Sequence, residues 1–525
     1  MTDKTKDNKT TKPKDTEKSL TIAEIASYCK STGMVFPNSE IYGGFAGFWD
    51  YGPRGVEIKN AIKREWWRTF VQQRDDIVGI DGTTITHPKV WVASGHVESF
   101  SDPLLECEKC KQRTRADHLI EDTLKISVDG ISLDKVNDLV KKHNLKCPFC
   151  GGALLDARKF NLMFKTHVGP TEADSTVAYL RPETAQVIFT DFRQVADISR
   201  QKLPFGIAQI GRAYRNEISP RDFLFRSREF EQMEIEYFVH PDKTGECQYL
   251  TKDILKQKIR IYTEVAQQED TDDSVMTFKE AMDENIIKNP WLTYFLSQQY
   301  NWFVNLGIKE ENLRLRQHRE EELAHYAKGC FDIEYRFPFG WKEIHGMADR
   351  SAFDLTQHMA HSKKDLSIFD EETKKKVIPC VAAEPSQGVD RAFLAFIIDA
   401  YTKEDERTVL KLIPELAPIK IAVFPLMKKD GLKEKAEELH NTLKKHIISF
   451  FDTAGSIGKR YARMDEIGCP YCVTIDYDSL EKDDATLRDR DSTKQVRIQI
   501  KDLKTTLEKL LAKEITFKDA GKPIN

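Results

Sequence analysis

The sequence predicts an α+β body followed by a smaller C-terminal α/β domain. Strand-like alternation clusters over 176–239 and 331–400, separated by a helix-rich stretch, instead of alternating regularly with helices. Beyond the Pro-punctuated KLIPELAPIK the pattern switches to regular strand–helix alternation. At 525 residues and 40% hydrophobic content, the chain exceeds one ordinary domain and has ample material for cores.

Residues 1–18, rich in Lys, Thr and Asp, read as a disordered tail. A short amphipathic helix is expected at 20–30. The Gly- and aromatic-rich IYGGFAGFWDYGPRG (41–55) reads as a tight loop leading into a helix over 54–72, with Pro53 at its first turn. Ile58, Ile62, Trp66 and Phe70 recur every four residues, so this helix buries one ridge; the adjacent Trp67 widens it enough to fit a partner surface. TTITHPKVWVASGH (83–96) looks strand-like. The span 104–158 opens and closes with cysteine pairs. Over 176–239 the order is strand, short helix, strand, turn, strand. Residues 242–330, charged and poor in Gly, read as a helical insertion or lid. After β character over 331–400 and a linker at 403–418 come strand 419–425, helix 432–446, strand 448–452, helix 457–467 and strand 472–477. The expected domains are thus a body over 19–410, with insertions at 104–158 and 242–330, and a C-terminal domain over 415–515.

Net charge is only −4, so any nucleic-acid contact must be local and not a global basic field. The absence of a long apolar run or an apolar leader points to a soluble, cytoplasmic protein with no membrane partner. Cys107/Cys110 and Cys147/Cys150 form two CxxC knuckles, the second shaped by Pro148 and Gly151. Together they supply four thiolates for a tetrahedral Zn²⁺, and four protein ligands make that site structural. Their 36-residue separation requires a further element between them. Cys469 and Cys472 lack a second knuckle and a redox-type βαβ start, so they read as a chance pair. No GxxxxGK[ST] loop is present, so an ATP site would rely on arginine side chains.

Residues 215–238, RNEISPRDFLFRSREFEQMEIEYF, pose the sharpest question. One strand face would carry Arg228, Phe230, Gln232, Glu234 and Glu236, far more charge than a core strand needs. Arg215-Asn216-Glu217 with the later FRSREF resembles motif 2 of class II aminoacyl-tRNA synthetases, and Gly388-Val389-Asp390-Arg391 resembles motif 3. The phrases WDYGPRGVEIKNAIKREWW, ASGHVESFSDPL, YLRPETAQVIF, FRSREFEQMEIEYF, GWKEIHGMADRSAFDL and EPSQGVDR are similar to the homodimeric glycyl-tRNA synthetases. The C-terminal TAGSIGKRYARMDEIGCPYCVTIDYDSL is similar to that family's anticodon-binding domain.

The resemblance implies an antiparallel-sheet catalytic domain, a homodimer, and ATP-dependent attachment of glycine to its tRNA through a glycyl-adenylate. It places Arg215 on the α-phosphate, where a guanidinium fork bridges oxygens better than an ammonium does. Phe230 becomes the adenine platform, with Arg391 closing the sandwich. Glu217 meets the adenine amino group or organises the loop. Asn216, Phe225, Arg226, Ile344 and Gly388 complete the ATP site, and Glu343 is the Mg²⁺ ligand. Glycine's ammonium falls to Glu183, Glu234 and Glu384, with Ser386 at the α-carbon and Phe230 alongside. Arg115 and Arg350 stand on the substrate side, Arg350 or Arg226 taking the carboxylate or outer phosphates. Glu236 shares this face without an assigned role. In the C-terminal domain, Lys459, Arg460, Arg463 and Arg497 are candidates for contacting the anticodon through its phosphates. Two rival readings remain: a class II synthetase for threonine or proline, and a non-catalytic tRNA-binding paralogue.

Overall fold

The computed structural model describes residues 20–126, 131–171, 176–323, 327–404 and 407–524; the tail expected over 1–18 lies outside them. A nine-stranded sheet organises the body. Its helices and strands, in chain order, begin with α1 (Ile22–Ser31), closed by a Thr21/Glu24 capping box, and α2 (Pro53–Trp67). They continue with β1 (Ile77–Ile80), α3 (Ala185–Ser199), β2 (Phe205–Tyr214), β3 (Glu229–Val239), β4 (Lys258–Tyr262) and β5 (Ser274–Thr277). Helix α4 (Pro290–Asn305), β6 (Leu313–Gln317), β7 (Gly329–Phe337), β8 (Gly340–Asp349), α5 (Phe353–Ser362), β9 (Cys380–Gly388) and α6 (Val389–Ala400) complete it. The spatial order is β5-β4-β6-β7-β8-β9-β3-β2-β1, antiparallel except for β1/β2 and β4/β6.

The pleat of β3 answers the question its charges raised. Met233, Ile235, Tyr237 and Val239 enter the main core, which also receives α2, α4 and α6. The alternate residues run along the opposite face, from Phe230 and Gln232 in an open slot to Glu234 and Glu236 under cover, and Phe238 in a second core beneath α3 and α5. One strand therefore carries a dry face and a working face.

Helix α2 and the helical turn Arg68–Gln72 that continues it bury Ile58, Ile62, Trp66 and Phe70 within the same chain, the Trp66 and Phe70 rings tilted at a separation of 5.6 Å. The ridge is core, and Trp67 closes over Gly79, where an added Cβ would sit 2.2 Å from the indole. Gly55 lets α2 lie against the Met34 carbonyl, 1.9 Å from where a Cβ would be.

Three expectations change. The stretch 83–96 is more helix than strand: Pro88 starts a helix over Pro88–Ala93 that the His87 side chain caps, leaving only Ile85–Thr86 as strand. The span 242–330 is not a helical lid. It supplies β4, β5 and β6 to the sheet edge, and its long helix α4 is buried, because Trp291, Phe295, Trp302 and Phe303 have no other apolar home. The linker over 403–418 is anchored, with Leu410, Leu412 and Leu416 in the main core.

The C-terminal domain follows its predicted order closely: β10 (Ile421–Pro425), α7 (Leu432–Leu443), β11 (Ser449–Phe451), α8 (Ile457–Glu466) and β12 (Tyr471–Ile475). Strands β13 (Asp484–Asp489), β14 (Gln495–Gln499) and β15 (Lys522–Pro523) extend the sheet in the order β11-β10-β12-β13-β14-β15, and α9 (Ile500–Leu511) covers it. Among the described residues no helix is long and apolar enough to cross a membrane.

Candidate active site

The slot at the open end of β3 is lined by Arg215, Phe225, Arg226, Phe230, Glu343, Gly388 and Arg391, among others. Arg215 ends the β2 side. Its Nε donates to the Pro182 carbonyl at 3.1 Å, and its guanidinium lies 5.2 Å from the Phe230 ring and 5.4 Å from Phe100. Asn216 is tied by its main-chain N–H to Leu162 O at 2.7 Å. The Glu217 carbonyl accepts two bonds from Arg228, at 3.0 and 2.8 Å, which locks the turn. Its buried carboxylate sits 3.8 Å from Arg115 and 3.9 Å from Arg226.

Arg391 sits at the start of α6, with its guanidinium 4.3 Å from the Phe225 ring, its Nε on Phe225 O and Nη1 2.9 Å from Glu343 Oε2. The expected sandwich of Arg391 over Phe230 is therefore not what the slot holds: Arg391 rests on Phe225, and Arg215 flanks Phe230. Ile344 is also corrected. Its side chain is 1% exposed in the core on the other face of β8, so only its main chain can serve the slot.

The cysteine-bearing insertion reaches this site. Arg226 Nη1 and His118 Nε2 are 2.9 Å apart; burial, with Arg115 and Arg226 beside it, pushes His118 down to about 3, leaving a neutral imidazole to accept. Arg115 is held by Asp102 at 2.6 Å and Asp117 at 2.5 Å, behind Glu217 and outside the slot. Sequence reading missed His118 because nothing local marks it; its partner is 108 residues away.

Deeper along β3 the carboxylates gather. Glu234 pairs across the sheet with Ser386 of β9, which pairs with Gly346 of β8. Thr184 Oγ1 donates to Glu234 Oε2. Carboxylate oxygens of Glu234, Glu236 and Glu384 lie within 4.8 Å of one another, all buried. Burial and the Glu183 charge raise Glu234. Burial pushes Glu384 up to about 8 against the pull of Arg350, with Glu234 and Glu183 adding to the rise. Glu183 goes the other way: burial is outweighed by His96, 3.3 Å off, Arg350, and a bond from Gln186.

Arg350 is not available to a substrate carboxylate. At 2% exposure it makes a fork to Asp354 (2.8 and 2.9 Å) and a 2.6 Å bond to Glu384 Oε1, so it positions Glu384 instead. Arg215 and Arg226 are left to meet anionic groups in the slot.

The four knuckle cysteines converge, with Sγ separations of 3.5 Å (Cys107–Cys150) and 3.6 Å (Cys110–Cys147) and all four within 4.8 Å. A Zn–S length of ~2.3 Å gives a tetrahedral edge of about 3.8 Å, so the quartet fits zinc. The element between the knuckles is a pair of helices, Ala116–Leu124 and Leu133–Lys142, with their own small core.

In the C-terminal domain Arg460 is corrected from a phosphate contact. It is 3% exposed and donates to Pro425 O and Leu426 O, closing the end of β10. Arg463 pairs with Asp452, and Arg497 with Asp476 and Asp484. Lys459 is exposed. Cys469 and Cys472 are both buried in an apolar cluster, away from redox partners in solution.

An antiparallel sheet with an arginine-flanked slot and a carboxylate pocket, joined to a separate α/β domain, is matched by two sequence families. Residues 165–411 match the tRNA synthetase class II core domain (G, H, P, S and T), and residues 420–510 match an anticodon binding domain. Prolyl-tRNA synthetase from Cryptosporidium parvum, complexed with halofuginone and AMPPNP, shares the fold at a TM-score of 0.57 and 13% identity, over 95% of this chain and 77% of that one. Fold and slot thus define a class II synthetase core. The chain is 47% identical over 500 residues to glycine--tRNA ligase of Ruminiclostridium cellulolyticum, spanning 93% of this chain and 98% of that protein. It is 48% identical over 503 residues to the ligase of Alkaliphilus oremlandii, spanning 94% and 98%. It belongs to the glycine--tRNA ligase family.

Proposed function

We propose that the protein attaches glycine to its cognate tRNA in two steps. A glycine carboxylate oxygen attacks the α-phosphorus of ATP, forming glycyl-adenylate and releasing pyrophosphate. A ribose hydroxyl of the tRNA's terminal adenosine then attacks the glycyl carbonyl, and AMP leaves. Activation requires positive charge where negative charge builds, and positioning more than acid–base groups. Arg215 meets the α-phosphate and the glycine carboxylate, Arg226 the outer phosphates, and Phe230, Phe225 and Arg391 hold the adenine. Mg²⁺ arrives with ATP, and Glu343, at the slot's mouth, is the carboxylate offered to it.

The observation that supports glycine is the cluster of Glu183, Glu234 and Glu384 gathered beside Ser386, which lines the inner end of the slot. Carboxylates grip an ammonium, and a larger amino acid is rejected by overlap at the α-carbon. The knuckle cysteines hold a structural Zn²⁺ that braces the insertion presenting His118 and Arg115. The domain over 415–515 receives the tRNA anticodon arm, with the body over 19–410 catalytic. The protein works in the cytoplasm as a homodimer, for which Ile41, Tyr42 and Phe45, each at least 76% exposed on one loop, offer apolar surface.

ATP–pyrophosphate exchange across amino acids tests this reading. Exchange is expected with glycine; exchange with threonine or proline instead would overturn the substrate. Arg215→Ala is expected to lower exchange by about 10²–10³-fold. Exchange absent with every amino acid would favour a tRNA-binding paralogue.

A further inference from the structure

Glu236 is the pocket's anomalous carboxylate. It is fully buried, and among the described residues neither side-chain oxygen has a hydrogen-bond partner. Its neighbours are provided for: Glu384 by Arg350, Glu234 by Thr184, and Glu183 by His96 and Gln186. The groups that face it are Glu234 from its own strand, Glu384 from β9, Arg350 from the turn after β8 and Asp354 from α5. On β2 its register partner is the uncharged Ile207. The single cation among them is committed to Asp354 and Glu384.

We propose that Glu236 is the neutral member of this pocket: it keeps its proton while Glu234 and Glu384 ionise to receive an ammonium, and so limits the pocket's negative charge to what one bound cation and Arg350 can balance. The inference rests on the ammonium reading of the pocket. A carboxylate without donors, removed from water and set within 4.8 Å of two others, meets both conditions that disfavour ionisation: lost solvation and like charge. Burial, with the Glu384 charge next, raises it well above the ordinary carboxylate range. An ionised Glu236 would leave one negative charge beyond what the glycine ammonium and Arg350 balance, and inorganic cations would compete for it. As the neutral acid it stands beside Glu234 and Glu384 without adding charge, so it acts as a positioning residue and, being fully buried, does not touch substrate.

The test combines infrared spectroscopy with exchange kinetics on the full-length enzyme. At about pH 9, a unit above the titration of Glu384, the wild type should show the C=O stretch of a protonated carboxylic acid, and Glu236→Gln should lose that band. Glu236→Gln, a neutral isostere, should keep the KM for glycine within about threefold, with a pH profile that overlays the wild type. Glu236→Leu, similar in bulk and uncharged, gives the same two readouts if the glutamine variant does not fold. Persistence of the band in the variants, its absence from the wild type, or a tenfold or larger rise in glycine KM would overturn the proposal. Glu384→Gln runs in parallel: an unchanged glycine KM there would sink the ammonium reading, while the infrared band still decides the protonation of Glu236.

Discussion

Raising the pH from about 6 to 8 should tighten glycine binding, because Glu384 must lose a proton before it can accept an ammonium. Burial pushes this carboxyl up to about 8, even with Arg350 at 2.6 Å. At pH 7 roughly one Glu384 in ten is ionised, so about 1.4 kcal/mol of affinity is withheld relative to alkaline pH. Binding draws the group into its charged form and releases close to one proton at pH 7. The sign follows: a step that releases a proton is favoured as pH rises, with affinity gaining on the order of tenfold from pH 6 to 7, about fivefold from 7 to 8, and little beyond. The KM for glycine in pyrophosphate exchange at saturating ATP reads the slope. Calorimetry in buffers of different ionisation enthalpy counts the proton. A flat KM over this range with no proton release would refute the reasoning, since it would mean that Arg350 already holds Glu384 ionised in the empty pocket.

Purified protein should carry about one zinc per chain, and Cys147→Ser should lose it together with the order of the insertion, lowering activity without unfolding the main sheet; zinc-free active wild type would dismiss the metal. Gly346→Ala should fold normally, since a Cβ there meets nothing nearer than 3.7 Å, yet narrow the space beside Ser386 and cut glycine kcat/KM by roughly tenfold or more; unchanged kinetics would move the α-carbon elsewhere. In the C-terminal domain, Arg460→Met should lower the Tm by leaving the Pro425 and Leu426 carbonyls without their donor, at a cost of about 1–3 kcal/mol. Lys459→Ala should leave the Tm unchanged and weaken tRNA binding more at low salt than at high salt.

Features carried by local spacing were legible in the chain. The two cysteine knuckles, the five leading elements of the C-terminal domain and the two-faced pattern of β3 all depend on neighbours a few residues apart, and each stands in the structure as its period required. Reading failed where packing outvotes pattern. Residues 242–330 looked helical from their charge and low glycine content, but the short β4, β5 and β6 take their strand form from pairing at the sheet edge.

The fate of the arginines marks the boundary. Sequence by itself determined that residues 215–238 bring unusual charge to one strand face, and which residue types stand there. Only the tertiary structure decided what each group meets: Arg350 closed by Asp354 and Glu384, Arg460 by backbone carbonyls, Arg226 by a histidine from the cysteine-knuckle insertion, and Glu236, among the described residues, by no hydrogen-bond donor. An arginine's role is set by the partners and solvent around its guanidinium. Those partners arrive from strands and loops tens to hundreds of residues away, where no sequence period reaches.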